Sequence, residues 1–282
     1  MKTPKILLIY KRSSLSVAGK LSARLRKTRR FENNHATHYA TLRMIEGILK
    51  RLNIKYHKHA RGKGVDYRPF DLVITIGGDG TILEAARALN SRQMILGVNS
   101  DPNWSVGQFC CCEAKNFEVM FKRFLSRKAK VCRLYKLKLR LYDGKKVKDV
   151  ECLNDVLICH ANPGAMSRYE LSVGKTAEDQ RSSGVWFSTA AGSTGAMLSA
   201  GGRAMPLSST DIQYKPRELY HSRTVKYYLT GGLIKRECKA SLVSTMAHGY
   251  IFVDGAHIKF PFTYGSRAEI SSSAHFIQLV HD

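Results

Sequence analysis

The sequence predicts two domains: an α/β domain with a parallel sheet over residues 1–128, and a β-rich domain over residues 129–282. Two observations carry that prediction. Up to about residue 125, short apolar runs alternate with amphipathic helical patterns, the texture of strands joined by helices that cover both faces of a sheet. Beyond about residue 130 the periodicity falls toward two, and glycine and serine become frequent, as in short strands joined by turns. No repeat or low-complexity linker intervenes, so the boundary is placed near the basic Arg127-Lys-Ala-Lys130.

In the first domain, Ile6-Leu-Leu-Ile-Tyr10 reads as a buried strand. Basic residues 11–34 read as a loop or helix edge. Residues 36–52 form an amphipathic helix with His38, Leu42, Ile45, Leu49 and Leu52 on one face. A strand over 71–76, a helix over 81–90, a strand over 94–98 and a helix over 117–125 complete it.

The junction Thr75-Ile-Gly-Gly-Asp-Gly-Thr-Ile-Leu83 is the most informative stretch. An apolar strand runs into Gly77, Gly78, Asp79 and Gly80, then into a helical pattern that Thr81 and Glu84 could open as a capping box. Glycines leave room for a ligand beside the backbone, and a helix N-terminus offers free N–H groups to an anion such as phosphate. A bare carboxylate there is repelled by phosphate. Asp79 therefore holds a metal, caps a backbone N–H, or faces a hydroxyl about to become a nucleophile. A tight turn tied by Asp79 is the plain alternative. Asn99-Ser-Asp-Pro102 follows a core strand, where open α/β sheets place ligands; Asp-Pro also makes it a turn, and both readings can hold.

In the second domain, strands are expected over 133–142, 151–159, 168–173, 185–189, 241–244, 250–253, 257–262, 267–271 and 276–280. Asn154 and Asp155 stand in a continuous apolar run, where a polar pair costs free energy unless partnered. Ribose hydroxyls would satisfy an aspartate there, and so would an internal hydrogen bond. Residues 182–202 run from an apolar strand into small hydroxyl and glycine residues, which admit a flat or anionic ligand; a structural loop is the alternative. Asp254-Gly255 reads as a hairpin turn.

Composition narrows the classes. A net charge of +24 attracts anions of many kinds. The basic and apolar alternation over 133–142 reads as a half-buried strand rather than a nucleic-acid stripe, so no nucleic-acid partner is expected. No apolar run approaches a membrane span, and the N-terminal apolar stretch is too short for a secretory signal, so a cytoplasmic location and no membrane partner are expected. Seven cysteines with no CxxC pair, and histidines such as His35/His38 and His57/His59 on polar segments, give no expected protein metal site.

Taken in order, Gly77-Gly-Asp-Gly-Thr81, Asn154-Asp155, Gly184…Ser188-Thr-Ala-Ala-Gly-Ser-Thr194…Ser199-Ala-Gly-Gly202 and Val253-Asp-Gly255 resemble the NAD kinase family over roughly residues 70–282. Gly97-Val-Asn-Ser-Asp-Pro102 and the run 188–202 look most like its plant NADH kinase branch. The resemblance implies phosphoryl transfer from ATP, with Mg2+, to the 2′-hydroxyl of the adenosine ribose of NAD or NADH. It also implies the family's two-domain fold with a site between the domains, and a homodimer or homotetramer. Asp79 would be the catalytic base, with Gly80 in the same contact. Asn154 and Asp155 would hold the dinucleotide, and Thr194, Gly195, Ala196 and Ser199 would line its pocket. Gly77, Gly78, Thr81, Asn99, Arg181, Ser183 and Asp254 are the remaining binding positions in the matched motifs.

The chain departs from the commoner family loop Thr-Pro-Thr-Gly-Ser-Thr-Ala-Tyr at three positions: Ala190 replaces Pro, Gly195 replaces Ala and Ala196 replaces Tyr. Losing the aromatic ring removes a stacking surface of about 1 kcal/mol. Ser183 stands where many members carry Asp. Ser183, Ala196 and the branch likeness predict a preference for NADH over NAD. The donor could be ATP or inorganic polyphosphate. A lipid kinase of the diacylglycerol or sphingoid type shares the GGDGT loop but gives Asn154-Asp155 no work. A non-catalytic basic nucleotide- or RNA-binding protein leaves Asp79 unexplained.

Overall fold

A computed structural model describes residues 4–13, 29–62, 64–221, 224–256 and 258–281. The chain forms two compact units, one of Met1–Arg133 with Ile277–Asp282, the other of Leu134–Phe276. The division thus falls at Arg133 rather than 128, and the last residues return to the first unit. Strand pairing explains the return: Gln278 and Leu279 run parallel to Met94 and Ile95.

The first unit contains β1 (Ile6–Tyr10), α1 (Arg29–Arg51), β2 (Tyr56–Ala60), β3 (Leu72–Gly77), α2 (Asp79–Ala88), β4 (Met94–Asn99), β5 (Cys112–Glu113) and α3 (Phe117–Leu125). The sheet is parallel, in the order β2-β1-β3-β4, with β5 paired to the end of β4. Its core joins Leu8, Ile74 and Val98 to Leu42, Ile45 and Leu49 of α1 and Phe117 and Phe121 of α3. Each such side chain contributes about 1.5–3 kcal/mol on burial. Strand β2 was not anticipated. It is an edge strand with exposed His57, Lys58 and His59, so it lacks a buried signature. The proposed loop at 11–34 lies mostly outside the described residues, and α1 begins at Arg29 instead of about 36.

The order β2-β1-β3-β4 reverses direction between β1 and β3. In open α/β sheets a ligand crevice forms at the carboxyl ends of the strands flanking such a reversal. The segments leaving those ends are Lys11 after β1, Arg61 after β2, the Gly77-Gly-Asp-Gly80 loop after β3 and Asn99-Ser-Asp101 after β4.

The second unit carries most of β6 (Lys130–Asp143), β7 (Lys146–Cys152), β8 (Asp155–His160), β9 (Ser167–Val173), β10 (Thr176–Ser182), β11 (Val185–Ser188), the short α4 (Ala196–Ser199), β12 (Ile212–Pro216), β13 (Gly232–Ile234), β14 (Lys239–Ser244), β15 (Gly249–Val253), β16 (Ile258–Pro261) and most of β17 (Arg267–His281). Strands β13-β12-β11-β8-β15-β16 form one antiparallel sheet. Strands β10-β9-β14-β17 pair antiparallel beside β6 and β7. Inward residues including Leu139, Ile158, Leu171, Phe187, Leu242 and Ile251 form the core.

The strand expected over 151–159 is broken at Leu153-Asn154, where backbone groups turn to side-chain partners. The strands expected over 267–271 and 276–280 are one strand of 15 residues. Strands β7, β10, β12 and β13 carry mixed or polar sequences and were not anticipated.

Candidate functional site

The glycine loop differs from its sequence reading in three respects. Helix α2 starts at Asp79 with Gly78 as its N-cap, and no side chain caps it. The expected Thr81/Glu84 capping box is therefore absent, and the helix ends at Ala88, not 90. Thr81 is buried inside the first turn, its N–H bonded to the Gly78 carbonyl at 2.9 Å. The glycines also serve different ends. A Cβ at Gly77 would overlap Thr81 Oγ1, and one at Gly78 would overlap Ser105 Oγ, so these two are required by packing of the chain on itself. Gly80 is the open one. A Cβ there would meet nothing nearer than Arg61 Nη1 at 3.7 Å.

Asp79 sits at the N-terminus of α2, where the helix dipole favours a carboxylate. Its Oδ1 accepts the Phe109 N–H at 2.9 Å and its Oδ2 accepts the Gln108 N–H at 3.0 Å. Of the alternatives raised by sequence, capping of backbone N–H groups is thus realised. It does not exhaust the group, because two carboxylate oxygens offer about four lone-pair sites. Two rigid donors fix the carboxylate's orientation and leave it able to accept a hydroxyl proton.

Asn99 is buried and occupied internally. Its Nδ2 donates to the Ser105 carbonyl at 2.9 Å and its Oδ1 accepts the Asp101 N–H at 3.2 Å. The side chain thus holds the 99–105 turn, which realises the turn reading of this segment. Helix α1 locks the same turn. Asn34 Nδ2 donates to Asp101 Oδ2 at 2.6 Å, and Thr41 Oγ1 donates to the Ser100 carbonyl at 3.2 Å. His38 bridges Ser100 Oγ at 2.8 Å and the Lys11 carbonyl at 2.8 Å. His38 is fully buried, as its place on the apolar face of the helix implies and against the reading of the His35/His38 pair as a polar segment.

Burial, more than any neighbour, brings the His38 pKa down to about 4. The folded form thus holds His38 neutral, whereas the unfolded chain takes up a proton below its ordinary value near 6.5. Stability from this residue is therefore complete above pH 6.5 and is lost as pH falls toward 4, by about 3 kcal/mol. Denaturant melts of wild type and His38→Asn at pH 7.5 and pH 4.5 check this. The variant's deficit should shrink sharply at the lower pH, and an unchanged deficit would refute the assignment.

In the second unit the dinucleotide candidates converge at the break before β8. Asp254, in the turn after β15 with φ 47°, accepts the N–H of Asn154 at 2.7 Å and of Leu153 at 3.2 Å. Its own N–H donates to the Asp155 carbonyl at 2.9 Å. The Asn154 carbonyl accepts from the Thr189 N–H at 2.9 Å and from Ser188 Oγ at 3.2 Å. Among the described residues, Asn154 Oδ1 is buried and meets no donor. That is an unmet acceptor of the kind a ligand hydroxyl or amide satisfies. Asp155 is buried, and its pKa is pushed up to about 7, first by burial and then by the charge of Asp254.

Thr194 ends a 3-10 turn (Ala191–Thr194), and Gly195 leads into α4. Ala196 and exposed Ser199 line a cavity of about 400 Å³ with Trp186, Ala200, Arg217 and Glu218. Sequence reading missed Trp186, Arg217 and Glu218 there. Trp186 gave the one available signal, a partly exposed indole in an apolar strand that leads into small residues. It places an indole in the cavity where Ala196 removes the family's aromatic ring. Arg181 is exposed on β10, and Ser183 donates its N–H to the Arg217 carbonyl at 2.9 Å.

The family profile of the ATP-NAD kinase N-terminal domain matches residues 13–129. The chain is 33% identical to the probable NADH kinase of Oryza sativa subsp. japonica over 265 residues, which is 86% of this chain and 81% of that protein. The chain belongs to the NAD kinase family. The NADH kinase of Arabidopsis thaliana, another member, is 29% identical over 86% of this chain and 83% of its own. Among solved structures, an NAD kinase from Archaeoglobus fulgidus in complex with ATP superposes with a TM-score of 0.70 at 21% identity, covering 98% of this chain and 93% of that one. That likeness shows the fold. Membership makes the chain an NAD(H) kinase, a phosphotransferase, and leaves the lipid-kinase and non-catalytic readings without support.

Proposed function

We propose that this NAD(H) kinase uses ATP to phosphorylate the 2′-hydroxyl of the adenosine ribose, with NADH preferred over NAD. The observation that carries the mechanism is the Asp79 carboxylate, pinned by the Gln108 and Phe109 N–H groups beside the open Gly80. A carboxylate oriented in this way takes the proton of an acceptor hydroxyl while the loop's N–H groups meet phosphate charge.

Asn154 Oδ1 and Asp155 supply acceptors for the dinucleotide's hydroxyl and amide groups, and the Trp186 cavity takes one of its flat rings. Stacking of a base on such a ring contributes about 1–3 kcal/mol. Ser183 and Ala196, together with the names of the rice and Arabidopsis relatives, support NADH as the preferred acceptor.

Mg2+ fits this reading as a passenger of the donor. Among the described residues, no three His, Cys, Asp or Glu side chains gather to cage a metal. Mg2+ retains waters and binds largely through substrate phosphates, so the donor's own oxygens would hold it without a protein cage. When bound, it neutralises donor charge.

No helix among the described residues is long and apolar enough to cross a membrane. Seven free cysteines support a reducing compartment, the cytoplasm. A homodimer or homotetramer is proposed from the family likeness.

Purified protein with ATP and Mg2+ should phosphorylate NADH with a kcat/KM about tenfold above that for NAD, a difference of about 1.4 kcal/mol. Equal or higher kcat/KM with NAD would overturn the preference. No NADP(H) from either would overturn the reading.

A further inference from the structure

Two cations converge on the glycine loop from strands whose neighbourhood the sequence does not reveal. Arg61 leaves the end of β2, its backbone N–H bonded to the Tyr10 carbonyl at 2.8 Å. Its guanidinium then reaches across the sheet end to the first turn of α2. Arg61 Nη1 lies 3.5 Å from Thr81 Oγ1 and 3.7 Å from where a Cβ of Gly80 would stand. Its Nε lies 3.5 Å from Glu84 Oε2, and the side chain remains 39% exposed. Glu84 thus pairs with Nε and leaves the outer guanidinium N–H groups beyond the Thr81 contact for a further anion.

Lys11, leaving β1, is half-buried beside it. Burial and the Arg61 charge both lower its pKa, against the opposing pull of Asp101. A like-charged pair at the carboxyl ends of β1 and β2, beside a helix N-terminus, is unfavourable until an anion joins it. Of the neighbouring acids, Glu84 pairs with Arg61, Asp101 accepts from Asn34 while still attracting Lys11, and Asp79 accepts two backbone N–H groups.

We propose that Arg61, backed by Lys11, clamps the terminal phosphates of the phosphoryl donor over Gly80. The assignment rests on the kinase reading above. In the transfer, the acceptor oxygen bonds to the terminal phosphorus and its proton passes to Asp79. The bond from that phosphorus to the bridging oxygen breaks, and the electron pair stays on the departing phosphate. Arg61 meets the charge that develops there. Its planar fork suits two phosphate oxygens at once, which an ammonium does not. The recognised chemistry is a polyphosphate chain, shared by ATP and inorganic polyphosphate.

The test compares wild type, Arg61→Ala and Arg61→Lys with MgATP and with inorganic tripolyphosphate. Kinetics give KM for each donor and for NADH, and calorimetry gives tripolyphosphate affinity without turnover. Arg61→Ala should raise KM for ATP at least about tenfold and weaken tripolyphosphate by a similar factor. KM for NADH should change less than about twofold, and Arg61→Lys should fall between. A rise confined to ATP would overturn the phosphate clamp, as would unchanged donor KM or an equal loss for NADH. If Arg61→Ala does not fold, Arg61→Gln, which keeps a donor toward Thr81, is held to the same criteria. Wild type that transfers to neither dinucleotide would defeat the kinase reading, while the calorimetric comparison would still decide the clamp.

Discussion

Asp79→Asn should lower turnover with ATP and NADH by about 10³-fold while leaving NADH affinity within about twofold. The variant keeps the shape of the side chain and one carbonyl acceptor for the Phe109 or Gln108 N–H. It loses the basicity needed to receive the hydroxyl proton. One of the two loop hydrogen bonds is replaced by an opposed pair of donors, so a stability loss of about 1–2 kcal/mol accompanies the change. The kinetic loss exceeds that by far and cannot be a folding effect, since melting and NADH binding report the folded fraction independently. Trp fluorescence quenched by NADH provides the binding measurement. Were Asp79 only a loop anchor, turnover would fall no more than stability does.

Asp254→Ala is the second large effect. Leu153 and Asn154 would lose the acceptor of both their backbone N–H groups, at 3.2 and 2.7 Å. Leu153 is buried, so water cannot readily replace it. Alanine must also adopt the φ of 47° that aspartate and asparagine tolerate better. Together these cost about 3–4 kcal/mol, offset in part because Asp155 loses its charged neighbour. Denaturant unfolding checks the number, and Asp254→Asn should recover at least half of it. NADH affinity should fall with Asp254→Ala because the Asn154 backbone is no longer fixed. With its neighbour's charge gone, the Asp155 pKa should drop from about 7. An Asp254→Ala variant as stable as wild type would show that other contacts hold the break before β8.

What the sequence disclosed follows from what each feature requires locally. Strands β1, β3 and β4 are buried on both faces, so apolar runs announce them. The Gly-Gly-Asp-Gly junction and the Asp254-Gly255 turn are contiguous and readable. Strand β2 is a solvated edge, and β10 carries Glu178, Asp179 and Arg181, so neither shows a buried pattern. Asp79, Asn154 and Asp155 stand out as candidates because an acid in a glycine loop, or a polar pair in an apolar run, demands a partner. Arg61 and Lys11 were not, because a basic residue after an unrecognised strand looks like any other positive charge in a chain of +24. Only the strand order, with β1 between β2 and β3, brings them to the same sheet end as the glycine loop. Asn99 and His38 are hard to read for a related reason. Both are polar residues that buried turns recruit as internal partners, and sequence alone does not distinguish such a partner from a ligand contact.

The most direct test of the central claim follows the phosphate itself. Wild type and Asp79→Asn are mixed with γ-labelled ATP, Mg2+ and NADH, and the label's position is read by NMR of the isolated dinucleotide. The label should appear on the 2′-oxygen of the adenosine ribose with wild type, and be about a thousandfold slower to appear with the variant. Label at any other position, or equal transfer by both proteins, would contradict the assignment of Asp79 as the base.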